Sequence, residues 1–235
     1  MRRIAPVLIS ACLFYSFSAF AQQGIKLTAY AGTGFSFFGG PGSASQSHYF
    51  RNGLNFPNGV DTIANHFGKM VKTNFMAGVQ LERPLTVDWS LSVSAQFESV
   101  GAHLKSDSLI SPAGDHRISG NYWVDYNFIS LNPQIQRIIS NGSTQIAVHG
   151  GLDYAIKVSL SDHFEYVDHN GINTSVGHSG GKPEVNDLRL TAGVQFSFAK
   201  WEVDLNYKHG LSDYNKNGNG KAGMRLMQVR LGYRI

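Results

Sequence analysis

Leu188, Leu190, Ala192, Val194, Phe196 and Phe198 alternate with Asp187, Arg189, Thr191, Gly193, Gln195 and Ser197. A period of two places the two sets on opposite faces of a β-strand. Seven further stretches show the same alternation. Strands are expected near 25–38, 70–83, 89–104 and 120–139, then from a turn at 140–143 to about 158, over 187–198, from Trp201 to about 211, and from about 224 to Ile235. In the fourth, the apolar phase shifts between Phe128 and Ile129, which suggests a β-bulge. The connections run long (39–69), short (around Pro84 and Asp88), medium (105–119), short (Asn141-Gly142), long (159–186), short (Ala199-Lys200) and medium (212–223). In an up-and-down barrel every second connection lies on the same rim, and outer-membrane barrels keep the short ones together. The pattern therefore predicts an all-β chain folded as an eight-stranded antiparallel up-and-down transmembrane β-barrel.

Periodicity alone leaves open which way the apolar face points. A soluble lipocalin-type barrel would turn it inward around a ligand. Three features favour the outside. The apolar phase persists for about ten residues per strand, enough for a tilted crossing. Phe35, Phe37, Trp89, Tyr122, Trp123, Phe196, Phe198, Trp201 and Tyr233 collect near strand ends, as in interfacial girdles. The opposite face mixes Ser, Gln, Gly and Asn with charges of both signs. Its polar lumen candidates are Lys72, Glu82, Glu98, His149, Asp153, Lys157, Arg189, Glu202, Asp204, Lys208, Arg230 and Arg234. Eight strands enclose a bore that side chains nearly fill, so charges there must be paired or hydrated. A salt-bridged plug is the expected arrangement. A selective pathway is the alternative.

The first residues change the compartment. Arg2 and Arg3 precede an apolar stretch that ends in Ala19-Phe20-Ala21, the form of an export signal with a small-x-small cleavage site. Residues 1–21 are expected to be removed, leaving a barrel domain over 22–235. A retained anchor helix would need a longer span. Ile9-Ser10-Ala11-Cys12 resembles a lipoprotein box, but apolar residues continue past Cys12 where a tether turns polar. Cleavage after Ala21 removes the one cysteine, and with it disulfides, thiolate metal sites and a cysteine nucleophile. Of the net charge of +4, two units sit on Arg2 and Arg3. What is left is only mildly basic and lacks the clustered patch that nucleic-acid binding needs.

Candidate chemistry is sparse. Asp213-Tyr214-Asn215-Lys216-Asn217-Gly218 matches the opening of a calcium loop, yet Met224 holds the place of its closing Glu, and Lys216 and Lys221 repel a cation. His48, His66, His103, His116, His163, His169, His178 and His209 gather toward the long-loop rim without metal-ligand spacing. His209, Ser212 and Asp213 would be the nearest set for a lipid-modifying rim enzyme, but no nucleophile motif such as G-x-S-x-G accompanies them. No catalytic residue, metal or cofactor is expected.

Gly24-Ile25-Lys26-Leu27-Thr28-Ala29-Tyr30-Ala31-Gly32 resembles the first strand of the Bacteroidetes outer-membrane β-barrel proteins called PorT-like. The run Tyr126-Asn127-Phe128-Ile129-Ser130-Leu131-Asn132-Pro133-Gln134-Ile135-Gln136-Arg137 is similar to their central strand, with Asn132 and Pro133 slightly off the usual spacing. More loosely, the chain resembles the eight-stranded OmpX/OmpA-type barrels. The resemblance implies the barrel fold and the outer membrane of a Gram-negative bacterium, and no single activity. The expected protein is a non-enzymatic monomer surrounded by outer-membrane lipid. It would act structurally, or meet a protein or extracellular ligand through the loops at 39–69 and 159–186. A narrow channel for ions or small solutes is the alternative, and a lipid-modifying enzyme a third.

Overall fold

The computed structural model describes residues 24–50, 62–111, 114–167, 171–179, 186–215 and 220–235. The signal segment, Cys12 and His169 lie outside them. Eight strands form the barrel: β1 (Lys26–Gly39), β4 (Lys72–Pro84), β5 (Trp89–Ser111), β6 (Gly114–Asn141), β7 (Gln145–Val167), β9 (Asp187–Phe198), β10 (Trp201–Gly210) and β11 (Gly223–Arg234). Each pairs antiparallel with its neighbours, and β1 pairs with both β4 and β11, so the sheet closes on itself. Closure removes the exposed backbone edges that hydrocarbon cannot solvate. At one rim the hairpins are tight. Ala199 takes a φ of 51° to make the turn between β9 and β10.

The alternation sorts side chains in the order that lipid demands. Val79, Leu81, Leu91, Leu131, Ile135, Leu152, Ile156, Leu190, Leu205, Val229 and Leu231 stand exposed on the outer wall. Gln80, Ser92, Ser94, Gln96, Asn132, Gln134, Thr191, Gln195, Asn206 and Gln228 are buried inside it. An outside this apolar around an inside this polar is stable in a bilayer and not in water. Aromatic rings mark the short-turn rim, where Trp201 and Tyr233 meet edge to face at 5.1 Å. Arg137 lies over Trp89 and Lys200 over Tyr233, each 5.6 Å from the ring centre, as basic side chains do when they snorkel to an interface.

On the loop side three barrel strands continue well past the apolar wall, and their polarity inverts. Along β5 the outward residues pass from Leu91, Val93 and Phe97 to Ser99, His103 and Lys105. The inward ones pass from Ser94, Gln96 and Glu98 to Val100, Ala102 and Leu104. On β6 the inward set runs unbroken through Tyr122, Val124, Tyr126, Phe128, Ser130, Asn132 and Gln134. The phase shift at Phe128 and Ile129 is therefore the step from water to lipid, not a change of face. The pairing register of β6 on β7 does shift there, and the extra residue is Val158 on β7. Parts of the stretches expected as loops are sheet: 105–111 and 114–119 belong to β5 and β6, and 159–167 continues β7. β2 (Gln46–Phe50) pairs parallel with β5, β3 (Thr62–Ile63) pairs β2, and β8 (Asn173–Ser179) pairs β7. The extension is a sheet in the order β3-β2-β5-β6-β7-β8.

Candidate functional site: the lumen and its cap

At mid-barrel, inward positions of β5, β7, β9 and β10 converge on one ion cluster. Arg189 is fully buried. Its Nη1 donates to Glu98 and, at 3.3 Å, to Asp153, while Nε donates to Asp187 at 2.6 Å. Lys208 donates to Glu98 at 3.1 Å and to Asp153 at 3.0 Å. Gln96 and Gln228 donate to the second oxygen of Glu98. Three carboxylates thus share two cations, and the Arg189 guanidinium lies 4.8 Å from the centre of the Phe128 ring. Charges removed from water this completely hold together only through such mutual pairing.

A second cluster lies nearer the short-turn rim. Asp204 accepts from Arg230 and from His149 Nε2 at 3.1 Å. Arg230 lies over Tyr30, whose hydroxyl donates to Gln96. At the mouth, Arg234 pairs with Glu202 at 2.5 Å and Lys26 with Glu82 at 2.9 Å. The cavity beside Tyr30 and Arg230 measures about 10 Å³, room for about one water. Ser92, Ser94, Ser130, Asn132 and Gln134 form a polar wall whose side-chain N and O atoms have no protein partner, the chemistry of a hydrated lining.

Two of the sequence candidates lie elsewhere. Lys72 sits at the loop-side rim, paired with Asp125 at 2.5 Å, its stem against Gly101. Lys157 reaches up under the cap and lies 5.0 Å from the Tyr126 ring centre. The other ten occupy the lumen or its mouth. Sequence reasoning missed the partners Asp187, Lys26, Gln96 and Gln228, and it missed the cap altogether. The signal for the cap was the block of inward Val100, Ala102, Leu104, Tyr122, Val124, Tyr126 and Phe128, hidden because it reverses the lipid-facing phase.

The cap is an apolar core over the ion cluster. Phe38 meets Phe67, Tyr214 and Tyr126 edge to face at 5.2, 5.1 and 5.9 Å. Tyr49 stacks on Phe164 at 4.0 Å, and Phe164 on Tyr166 at 5.2 Å. One polar relay crosses it: His66 Nδ1 donates to the Tyr122 hydroxyl at 2.7 Å, which donates to Asp162 at 3.0 Å. Burial lowers the His66 pKa against the pull of Asp162, and burial, then Asp162, push the Tyr122 hydroxyl well above its ordinary range.

On the outer face of the extension, His103, Trp123 and His163 stand in register on three adjacent strands. Trp123 is stacked between the imidazoles at 5.2 and 5.7 Å. His103 donates to Asn121 and His163 to Glu165. His48 meets Ser108 and Asp107. His116 lies on β6 and His178 on β8. His209, Ser212 and Asp213 are taken up separately. Tyr207 donates to His209, Ser212 donates to the Asn186 carbonyl, and Asp213 accepts the N–H groups of Asn215 and Ala222. Asp213 therefore closes a turn, and residues 216–218 of the calcium-like motif lie outside the described residues. Among the described residues, no three His, Cys, Asp or Glu side chains form a metal-holding group.

No family model matches the chain, and no curated protein matches it. Among solved structures it is similar to Ail, the attachment invasion locus protein of Yersinia pestis. Against Ail in complex with the heparin analogue sucrose octasulfate, identity is 13%, the TM-score is 0.38, and the match covers 89% of this chain and 99% of that one. Against Ail alone, identity is 12% and the TM-score 0.36, over 89% and 99% of the two chains. The fold assignment rests on the closed antiparallel ring and its apolar wall.

Proposed function

We propose that this protein is a non-enzymatic, non-conducting, monomeric outer-membrane β-barrel that works through its loop-side sheet. The observation that carries the reading is that sheet. Three barrel strands extend past the lipid-facing wall, recruit β2, β3 and β8, and fold over an apolar core of their own. A barrel needed only to span would not carry a second core. Its outer face presents Trp123 between two imidazoles amid Asn121, Lys105 and Glu165, a mixed aromatic and polar surface suited to a protein or extracellular ligand. The lumen below, filled by paired charges, is a plug. Residues 1–21 serve as the export signal and 22–235 as the barrel domain. The PorT-like resemblance of the first and central strands agrees with this placement.

Two measurements on one preparation test the reading. The intact mass of protein purified from outer membranes is expected to begin at Gln22. In planar bilayers the same protein is expected to show no steady unit conductance. Reproducible unit currents would overturn the plug and restore the channel. Cleavage of the loop-side sheet by protease added to intact cells is expected, and full protection there would reverse its orientation.

A further inference from the structure

The outer wall turns from apolar to basic at a single step on one side of the barrel. Thr33, Val229 and Leu205 stand in register across β1, β11 and β10, and above them stand Phe35, Met227 and Tyr207. One outward position higher, the row reads Phe37, Arg225 and His209. Two residues of strand rise about 7 Å. The same step on the far side carries no cation: Phe97 gives way to Ser99, Ile129 to Asn127, and Val158 to Ser159.

Two adjoining hollows follow this division. The lower, about 380 Å³, is an almost wholly apolar groove between Phe35, Met227, Tyr207 and Leu205, opened by the small side chains of Thr33 and Ala192. The upper, about 170 Å³, lies between Gly39, Gly40, His209, Lys221 and Arg225. Gly39 makes room for the Arg225 guanidinium, since a Cβ there would lie 2.4 Å from Nε. Tyr207 ties the two levels together by donating to His209 at 3.1 Å. Asp213 also lines the upper hollow, its carboxylate accepting the Asn215 and Ala222 N–H groups. None of the ion pairs among the described residues uses Arg225 or Lys221.

We propose that this face binds a phosphorylated membrane lipid of the loop-side leaflet, with an acyl chain in the groove and the phosphate on Arg225, Lys221 and His209. The inference rests on the membrane-spanning reading. Guanidinium is the side chain best suited to a phosphate fork, and an ammonium beside it adds charge without demanding geometry. A free phosphate would use the upper hollow alone. A lipid uses both, and the apolar groove directly beneath the cations decides between them.

Native mass spectrometry of the full mature barrel in detergent, with phosphatidic acid or diacylglycerol of the same chains, tests this. Phosphatidic acid is expected to be retained at least tenfold better than diacylglycerol. The doubly substituted R225Q/K221Q protein is expected to lose that preference, while Arg117→Gln, at an exposed position of β6 on the far side, keeps it. Ala192→Phe, which fills the groove without touching a charge, is expected to weaken retention of both lipids. Millimolar inorganic phosphate is expected to leave the bound lipid in place. Equal retention of the two lipids, a preference unchanged in R225Q/K221Q or lost equally in R117Q, or displacement by inorganic phosphate would overturn the proposal. A shift in gel mobility on boiling shows that each variant is folded. A protein that stays monomeric without detergent would defeat the membrane reading itself. One that needs detergent yet shows no lipid preference defeats only this site.

Discussion

Arg189 shows what a single side chain can carry in this lumen. It is fully buried and faces Glu98, Asp153 and Asp187 at once. Removing one partner of a buried ion network leaves uncompensated charge, at a cost of about 3–5 kcal/mol. Arg189→Ala is expected to lower the urea-unfolding free energy in detergent by about that much, read by tryptophan fluorescence. Arg234→Gln changes a pair whose arginine is about a quarter exposed, and is expected to cost less than about 1 kcal/mol. Equal effects would refute the network. The inward placement of Arg189 was legible from period two, because one face of β9 is polar throughout. Its partner was not: Glu98 lies 91 residues away, brought in by barrel closure that no local pattern encodes.

At the scale of elements, the loop-side sheet was the part hardest to read. Strand order, short turns and the membrane phase all followed from alternation at positions such as Leu188 to Phe198. Above the bilayer the alternation continues on β5, β6 and β7 with its sign reversed. A reading tuned to one apolar phase ends the strand there, as it did at Leu104 and Val158. β2 and β8 are hidden for another reason, since each is stabilised by the neighbour it pairs with rather than by its own composition. His66 belongs to this layer, just beyond β3, and it gives the layer a pH dependence. Its folded pKa lies below the ordinary 6.5, so the opened segment binds the proton more readily than the closed one. Stability of the cap is then full above about pH 6.5 and falls as pH drops from there toward the folded value. Hydrogen-exchange protection at 62–70, corrected for the pH dependence of intrinsic amide exchange, is expected to fall between pH 7 and 5, with the protection of the β9 and β10 amides unchanged. His66→Gln is expected to flatten that response. A pH response that persists in the variant would assign it to another group.

For the whole molecule, the ion cluster and the aromatic cap lie in series along one axis. Any permeating ion must pass both, so the higher barrier alone sets the conductance. The cap closes the loop side with Phe38, Phe67, Tyr126 and Tyr214, and Arg189, Lys208 and their carboxylates close the middle. Thinning the cap with F38A/Y126A leaves the charged plug, and cutting the plug with R189S/K208S leaves the cap. Neither pair is expected to conduct in planar bilayers. The four substitutions together, checked for folding by mobility before and after boiling, are expected to produce unit currents through the narrow bore. Currents from the cap variant alone would show that the ion cluster is a pathway and not a plug. Currents from the plug variant alone would show that the cap opens by itself. Silence from all four would mean that the residual polar wall of Asn132, Gln134 and Gln136 suffices to close an eight-stranded bore.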